Sequence, residues 1–143
     1  MGAPEILQDY LDAMGACVMA GDFDVYRAGV SLPFHLITAA ANIVISTEDE
    51  LRSGFETFVA MLGTQAVTDY VRLANSAVFL QETLISGHYT THIVAGSNRV
   101  VPPFPSQIIL RQGPDDVWRG ASISNNMRNR AWPVHLLQIT PVQ

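Results

Sequence analysis

Gly63 divides this chain into two parts whose hydrophobic residues repeat on different periods, and that switch limits the fold more than any single motif. Before it, residues 5–20 place Ile6, Leu7, Tyr10, Leu11, Met14, Cys17 and Val18 on one face, with Gln8, Asp9 and Asp12 opposite. Steps of three, four and one mark an amphipathic helix. Pro4 fits its first turn and Gly21 its stop. Asp22 can cap a short second helix that turns Phe23, Tyr26 and Val30 inward and ends at Pro33. PFHLITAAANIVIST reads as two short strands joined near Ala39 to Asn42. Thr47-Glu48-Asp49-Glu50 is a capping box, and the helix it opens buries Leu51, Phe55, Phe58 and Leu62 before Gly63 ends it.

After Gly63, residues 67–81, 82–95, 104–112 and 117–126 are rich in β-branched and aromatic residues and read as four long strands. Gly96-Ser97-Asn98 and Gly113-Pro114-Asp115-Asp116 are turn signals, and Pro102, Pro103 and Pro105 mark a stiff connection. The order is helix, helix, two strands, helix, four strands. That is an α+β domain: a mostly antiparallel sheet of about six strands with the helices on one side. No linker divides the 143 residues, so they form one domain with a core over about 5–127 and an apolar tail, 128–143.

Composition removes several classes of function. The residues are 48% hydrophobic and 15% charged, which suits a globular chain. No apolar run approaches the ~20 residues of a membrane helix. MGAPEILQDY lacks a basic region before its apolar residues, and Ile6 stands where a myristoylation signal wants Ser or Thr, so a cytoplasmic location is expected. Net charge is −5 and the basic residues are scattered, which argues against nucleic acid. Cys17, the one cysteine, rules out an internal disulfide and a cysteine cage for zinc; its neighbours Met14, Val18 and Met19 suggest a buried, inert thiol.

The order of elements resembles the nuclear transport factor 2-like superfamily, in particular its SnoaL-like and ketosteroid-isomerase-like small proteins. The resemblance rests on Ala20-Gly21-Asp22-Phe23-Asp24 at the first helix junction, on Thr47-Glu48-Asp49-Glu50-Leu51, on Ile85-Ser86-Gly87-His88-Tyr89, and on Val117-Trp118-Arg119 after an acidic turn. It implies a strongly curved sheet that wraps the helices into a cone, a cystatin-like roll, around an internal apolar pocket. It also implies a homodimer through the outer face of the sheet. Members include isomerases, dehydratases, polyketide cyclases, dioxygenase small subunits and non-enzymatic binding modules, so fold alone leaves function open. The isomerase chemistry needs a carboxylate base and a tyrosine–aspartic acid pair for the enolate. Here the helix position holds Met14, the base position near Leu36 to Thr38 has no carboxylate, and the later strands offer only Asp115 and Asp116 in a turn.

His88 and His92 are four residues apart, a metal-binding spacing on a helix, where such residues lie about 6 Å apart. SGHYTTHIV has strand composition, and on a strand they stand roughly 13 Å apart. No metal site is therefore expected. The apolar face with Ile85, Tyr89 and Ile93 should face the pocket, sending His88 and His92 outward. His35, between Phe34 and Leu36, should also point outward; if that parity fails, it is the candidate general base. Tyr70 and Arg72 alternate with Val71 and Leu73 and are expected on the outer face, at an interface. Trp118, Ser122, Ser124 and Asn126 share a face with Gly120 and either orient a ligand or close the core. Asn125, Asn126, Arg128 and Arg130 form either a carboxylate clamp or a solvated turn into a tail packed through Trp132, Val134, Leu136 and Leu137.

The expected pocket is therefore Tyr10, Met14, Phe34, Leu36, Thr38, Phe58, Asn75, Tyr89, Trp118, Ser122, Ser124 and Asn126. The expected function is small-molecule binding, with cofactor-free acid–base catalysis of the isomerase, dehydratase or cyclase type on an apolar substrate as its enzymatic form. The alternative is a non-catalytic binding or dimeric association module. A cavity of roughly a few hundred Å³ lined by polar groups at one end supports the ligand reading; one filled by Met14, Phe34, Leu36 and Phe58 supports the alternative.

Overall fold

The computed structural model describes residues 1–128, 132 and 133. Helix α1 (Ala3–Ala20) carries Pro4 in its first turn and stops at Gly21, which takes the left-handed φ of 70°. The N–H groups of Gly21 and Asp22 then donate to the carbonyls of Val18 and Cys17, closing the last turn. The Asp22 carboxylate accepts from Val25 N–H and opens α2 (Phe23–Ala28).

Helix α2 ends at Ala28, before the position expected from Pro33. Val30 already belongs to strand β1 (Val30–Ile37), so Pro33 lies within a strand. Three-and-four spacing of Phe23, Tyr26 and Val30 fitted a helix, but strand pairing decides the boundary: Gly120 N–H donates to Gly29 O at 2.9 Å, and Val30 pairs with Gly120. β1 runs antiparallel to β2 (Asn42–Ile45). Both halves of the capping box at Thr47 and Glu50 are formed at the start of α3 (Glu48–Thr64). This helix passes through Gly63 to Thr64, and the reversal falls instead at Ala66, with φ 54°. The N–H groups of Gln65, Ala66 and Val67 take the carbonyls of Met61, Gly63 and Leu62, so Gly63 is not needed as the stop.

The remaining strands are β3 (Asp69–Gln81), β4 (Leu84–Ala95), β5 (Asn98–Arg99), β6 (Phe104–Gln112) and β7 (Trp118–Asn125). Together they make a curved, open, mixed sheet in the order β2-β1-β7-β6-β4-β3, with the two-residue β5 beside β4 as a seventh strand. Every pairing is antiparallel except β1 with β7. Two bulges matter for function. One lies at Asn75, between the pairs Ala74–Tyr89 and Ser76–His88; the other lies at Ala121, between the pairs Leu110–Gly120 and Ile109–Ser122. Each inserts a residue and exchanges inside for outside in the strand beyond it.

The helices cover the concave face of this sheet. Ala3, Leu7 and Leu11 of α1 pack on Ile85, Tyr89, Ile108 and Leu110. Gly87 permits the close approach, because a Cβ there would lie 2.6 Å from Leu7 Cδ2. Farther along, Met14, Phe23, Phe34, Leu36, Leu51, Phe55, Ile93 and Phe104 form the second part of the core. No helix among the described residues is long and apolar enough to cross a membrane.

The turn into β7 is held by Asp115, whose two carboxylate oxygens accept from Arg119 Nη1 at 3.0 Å and Nη2 at 2.7 Å. Those bonds, and one from Val117 N–H, hold the Asp115 pKa down to about 2. A depressed folded-state value means stability that is present above the ordinary value of 3.8 and lost as pH falls toward 2. Asp115→Asn should therefore flatten the fall of the thermal midpoint between those pH values. A variant whose midpoint falls as steeply as the parent's would remove Asp115 from the acid transition.

Candidate functional site

Where α1, α3 and the concave face diverge, they leave a cavity of about 130 Å³. Its apolar lining comes from Met14 and Val18 of α1, Phe34 and Leu36 of β1, Phe55 and Phe58 of α3, Ile93 of β4 and Phe104 of β6. The polar lining comes from Tyr70 and Arg72 of β3, Tyr89 and Thr91 of β4, Ser106 of β6 and Asn125 of β7, with Tyr10 and Tyr26 from the helices. Trp132 stands at the edge, its Nε1–H donating to Glu50 O at 3.2 Å. Gly54 makes room for it, since a Cβ at that position would fall inside the indole. Met14, Phe34, Leu36 and Phe58 narrow the space below the roughly few hundred Å³ expected, without closing it. An engineered cavity of about 150 Å³ lined by apolar side chains holds benzene, which sets the scale of an occupant.

Among the described residues, Arg72 is the one cationic side chain in this lining. The register places it opposite Thr91 on the concave side, with Tyr70 opposite Ile93. Both were expected outside; the structure inverts them, and Val71 and Leu73 take the outer face instead, 40% and 48% exposed. Alternation alone fixes which residues share a face, but it cannot say which face is inner. The pairing with Tyr89, Thr91 and Ile93, all buried, decides it.

The guanidinium carbon of Arg72 lies 5.3 Å from the Tyr70 ring centre and 5.6 Å from that of Tyr89. Nη2 donates to Leu11 O at a long 3.5 Å, while the buried Nε has no partner. Among the described residues Arg72 has no ion pair. Residues 129–131 and 134–143 contain no Asp or Glu. Burial works against the charge, but a guanidinium stays protonated in proteins, and the faces of the Tyr70 and Tyr89 rings beside it favour the cation. A buried charge without a counter-ion is costly, several kcal/mol in the general case.

The other polar groups are mostly engaged. Tyr10 Oη donates to Gly29 O at 2.7 Å and accepts from Gly120 N–H at 3.2 Å, pinning α1 to the β7 edge. Burial raises the Tyr10 and Tyr26 hydroxyls above the ordinary phenol range. It raises Tyr89 too, against the opposing pull of Arg72 and of hydrogen bonds with Ser106 and Arg72. Cys17 is buried, donates to Met14 O at 3.0 Å and has its pKa pushed up by burial, which suits an inert thiol.

Of the expected pocket residues, Tyr10, Met14, Phe34, Leu36, Phe58 and Tyr89 line the cavity. The other six are elsewhere. Thr38 is buried at the β1–β2 turn, where its hydroxyl accepts from Ala40 and Ala41 N–H. Asn75 occupies the β3 bulge and donates to Thr90 Oγ1 at 2.9 Å. Trp118 lies in a separate open groove with Ile6, Ala13, Val25 and Val117. The bulge at Ala121 turns Ile123 and Asn125 into the cavity and takes Ser122, Ser124 and Asn126 out of it. Asn125 Oδ1 accepts from Met127 N–H.

His35 is half-buried between Val44 and Ser122 on the neighbouring strands, while Phe34 and Leu36 point inward, so it does not reach the cavity as a base. His88 is exposed and His92 half-buried on the outer face, where His92 Nδ1 lies 3.0 Å from Arg99 Nη1. Among the described residues no three His, Cys, Asp or Glu side chains converge as metal ligands would. Arg128 is exposed; Arg130, Val134, Leu136 and Leu137 lie outside the described residues, so the clamp and the packed tail are not described. Tyr26, Thr91, Ser106 and Asn125 were missed along with Tyr70 and Arg72. Ser106 was within reach of pattern reading, because Phe104, Ile108 and Leu110 alternate with it on a single face.

This combination, a curved mixed sheet closed over three helices around a cavity, is the cystatin-like fold of the NTF2-like and ketosteroid-isomerase-like proteins. Three solved structures illustrate the likeness. A domain of unknown function with a cystatin-like fold from Nostoc punctiforme superposes with a TM-score of 0.64 at 11% identity, over 89% of this chain and 77% of that one. An NTF2-like protein of unknown function from Shewanella oneidensis gives 0.61 at 13% identity, over 85% and 97%. A ketosteroid isomerase-like protein from Erwinia carotovora gives 0.57 at 16%, over 86% and 94%. No protein-family profile matches the chain, and no curated protein matches it in sequence.

Proposed function

We propose that this chain is a small-molecule-binding protein whose ligand occupies the concave cavity, and that it works as a homodimer through the outer face of the sheet. The observation that carries the first part is the cavity itself, whose lining combines apolar side chains with a few polar groups. Polar groups set in a mostly apolar cavity orient a ligand as well as holding it. Binding is favoured over acid–base catalysis by the chemistry of the described lining. Its titratable groups are phenols and a guanidinium, and neither titrates near neutral pH, where a general base has to work. The observation behind the second part is β3, whose apolar Val71 and Leu73 face outward while its arginine faces inward. An apolar row on an open sheet face suits a second copy of the chain.

Ligand occupancy can be read from methyl resonances. Benzyl alcohol, a one-ring probe of about the right size, should shift the methyl signals of Met14, Leu36 and Ile93 in a saturable way. Methyl signals that stay in place with benzyl alcohol and also with isobutanol, benzoate and isobutyrate, up to their solubility, would sink the ligand reading.

A further inference from the structure

The unsatisfied Nε–H of Arg72 narrows the chemistry of the ligand. We propose that the cavity is a receptor for a small apolar carboxylic acid, its carboxylate held by the Arg72 guanidinium and its hydrocarbon body lying against Met14, Phe34 and Leu36. This rests on the reading of the cavity as a ligand site.

Three observations converge on it. The first is the orphan donor: Nε–H of Arg72 is buried, and no protein acceptor meets it among the described residues. The Nε edge of a guanidinium presents two parallel N–H groups, the match for the two oxygens of a carboxylate. The second is the charge balance: among the described residues the lining has one cation, Arg72, and no acidic partner for it. A protein that brings an unpaired cation into a largely apolar cavity has built the counter-ion site without the counter-ion. The third is size. About 130 Å³ admits a single ring or a short branched chain beside the charged end. A phosphate monoester would bring close to two negative charges to a single arginine, with phenols and hydroxyls as the remaining donors. One carboxylate against one guanidinium balances. Tyr89 and Ser106, hydrogen-bonded to each other beside Arg72, supply hydroxyls for the second oxygen.

The test titrates the full chain with benzoate and isobutyrate and with their neutral counterparts, benzyl alcohol and isobutanol. The Arg72 Nε–H resonance and the Met14, Leu36 and Ile93 methyls are followed by NMR. At least one acid is expected to bind about 10-fold or more tighter than its alcohol and to move the Arg72 Nε–H signal. Arg72→Met should weaken that acid about 10- to 100-fold and leave the alcohol unchanged or tighter, with folding checked by circular dichroism. If Arg72→Met does not fold, Arg72→Lys keeps the charge without the fork and should still lose most of the preference for the acid. Alcohols that bind as tightly as the acids would overturn the carboxylate receptor and leave the ligand cavity standing. So would an acid whose affinity ignores Arg72→Met, or one that leaves the Nε–H signal in place. Methyls unmoved by all four compounds would remove both the receptor and the cavity reading.

Discussion

Replacing Phe55 with alanine should cost the fold about 3–5 kcal/mol, a large share of the 5–15 kcal/mol that holds a domain of this kind together. Phe55 is only 3% exposed. Its ring lies 5.5 Å from that of Phe23 and 4.7 Å from that of Tyr26, so it is the contact by which α3 seats the short helix α2. A six-residue helix has little stability of its own and depends on such packing. Phe55 also lines the cavity, so the vacated space would join a void already present. The neighbours on that side have nothing to collapse onto, which places the loss high in the usual range for a deleted aromatic ring. Urea denaturation reads the effect directly. A loss below about 1 kcal/mol would show that the α2–α3 contact is not a main support of the fold.

Wild-type protein at micromolar concentration should scatter light as a dimer, and Leu73→Asp should weaken that dimer by about 100-fold or more. The size of the effect comes from symmetry. In a two-fold interface the same patch is used by both copies, so each substitution buries two unpaired carboxylates. Leu73 is 48% exposed and stands beside Val71 on the outer face, opposite Thr90 and His92 of β4. The aspartate should leave the monomer's own stability nearly unchanged, because the position is open to water in one copy. A wild-type monomer would contradict the proposed assembly. A variant dimer as tight as the parent would move the interface off this face.

The helices and their starts were legible because their signals are local. Asp22 with Val25, and Thr47 with Glu50, each satisfy N–H groups within three residues, so no distant partner is needed to read them. The boundary at Val30 was not local: it was settled by Gly120, far along the chain. The site failed in the same way. A strand's alternation is visible in sequence, but its inner face depends on the neighbouring strand, and each bulge reverses the count. The inserted residue at Ala121 exchanged Ser124 for Asn125 in the lining. On β3, apolar Val71 and Leu73 looked like core and Arg72 like surface, and burial runs the other way. Hydrophobicity misleads on a strand whose apolar residues face outward and whose arginine lines the cavity. Tyr89 was placed correctly because β4 has Ile85 and Ile93 on the same face and no bulge between them.

The lone parallel pairing, β1 against β7, also sets an order of assembly. Strands β3, β4, β6 and β7 follow each other as antiparallel neighbours and can pair through short turns as soon as each is made. β1 joins β7 only after nearly the whole chain is in place, and Tyr10 reaches Gly120 across 110 residues. Contacts that close such long loops form late and slowly. The cavity has Phe34 and Leu36 of β1 on one wall and Tyr89 and Ser106 of the meander on another. The cavity is therefore complete only once the two ends of the chain have met, so its shape depends on the longest-range pairing in the sheet.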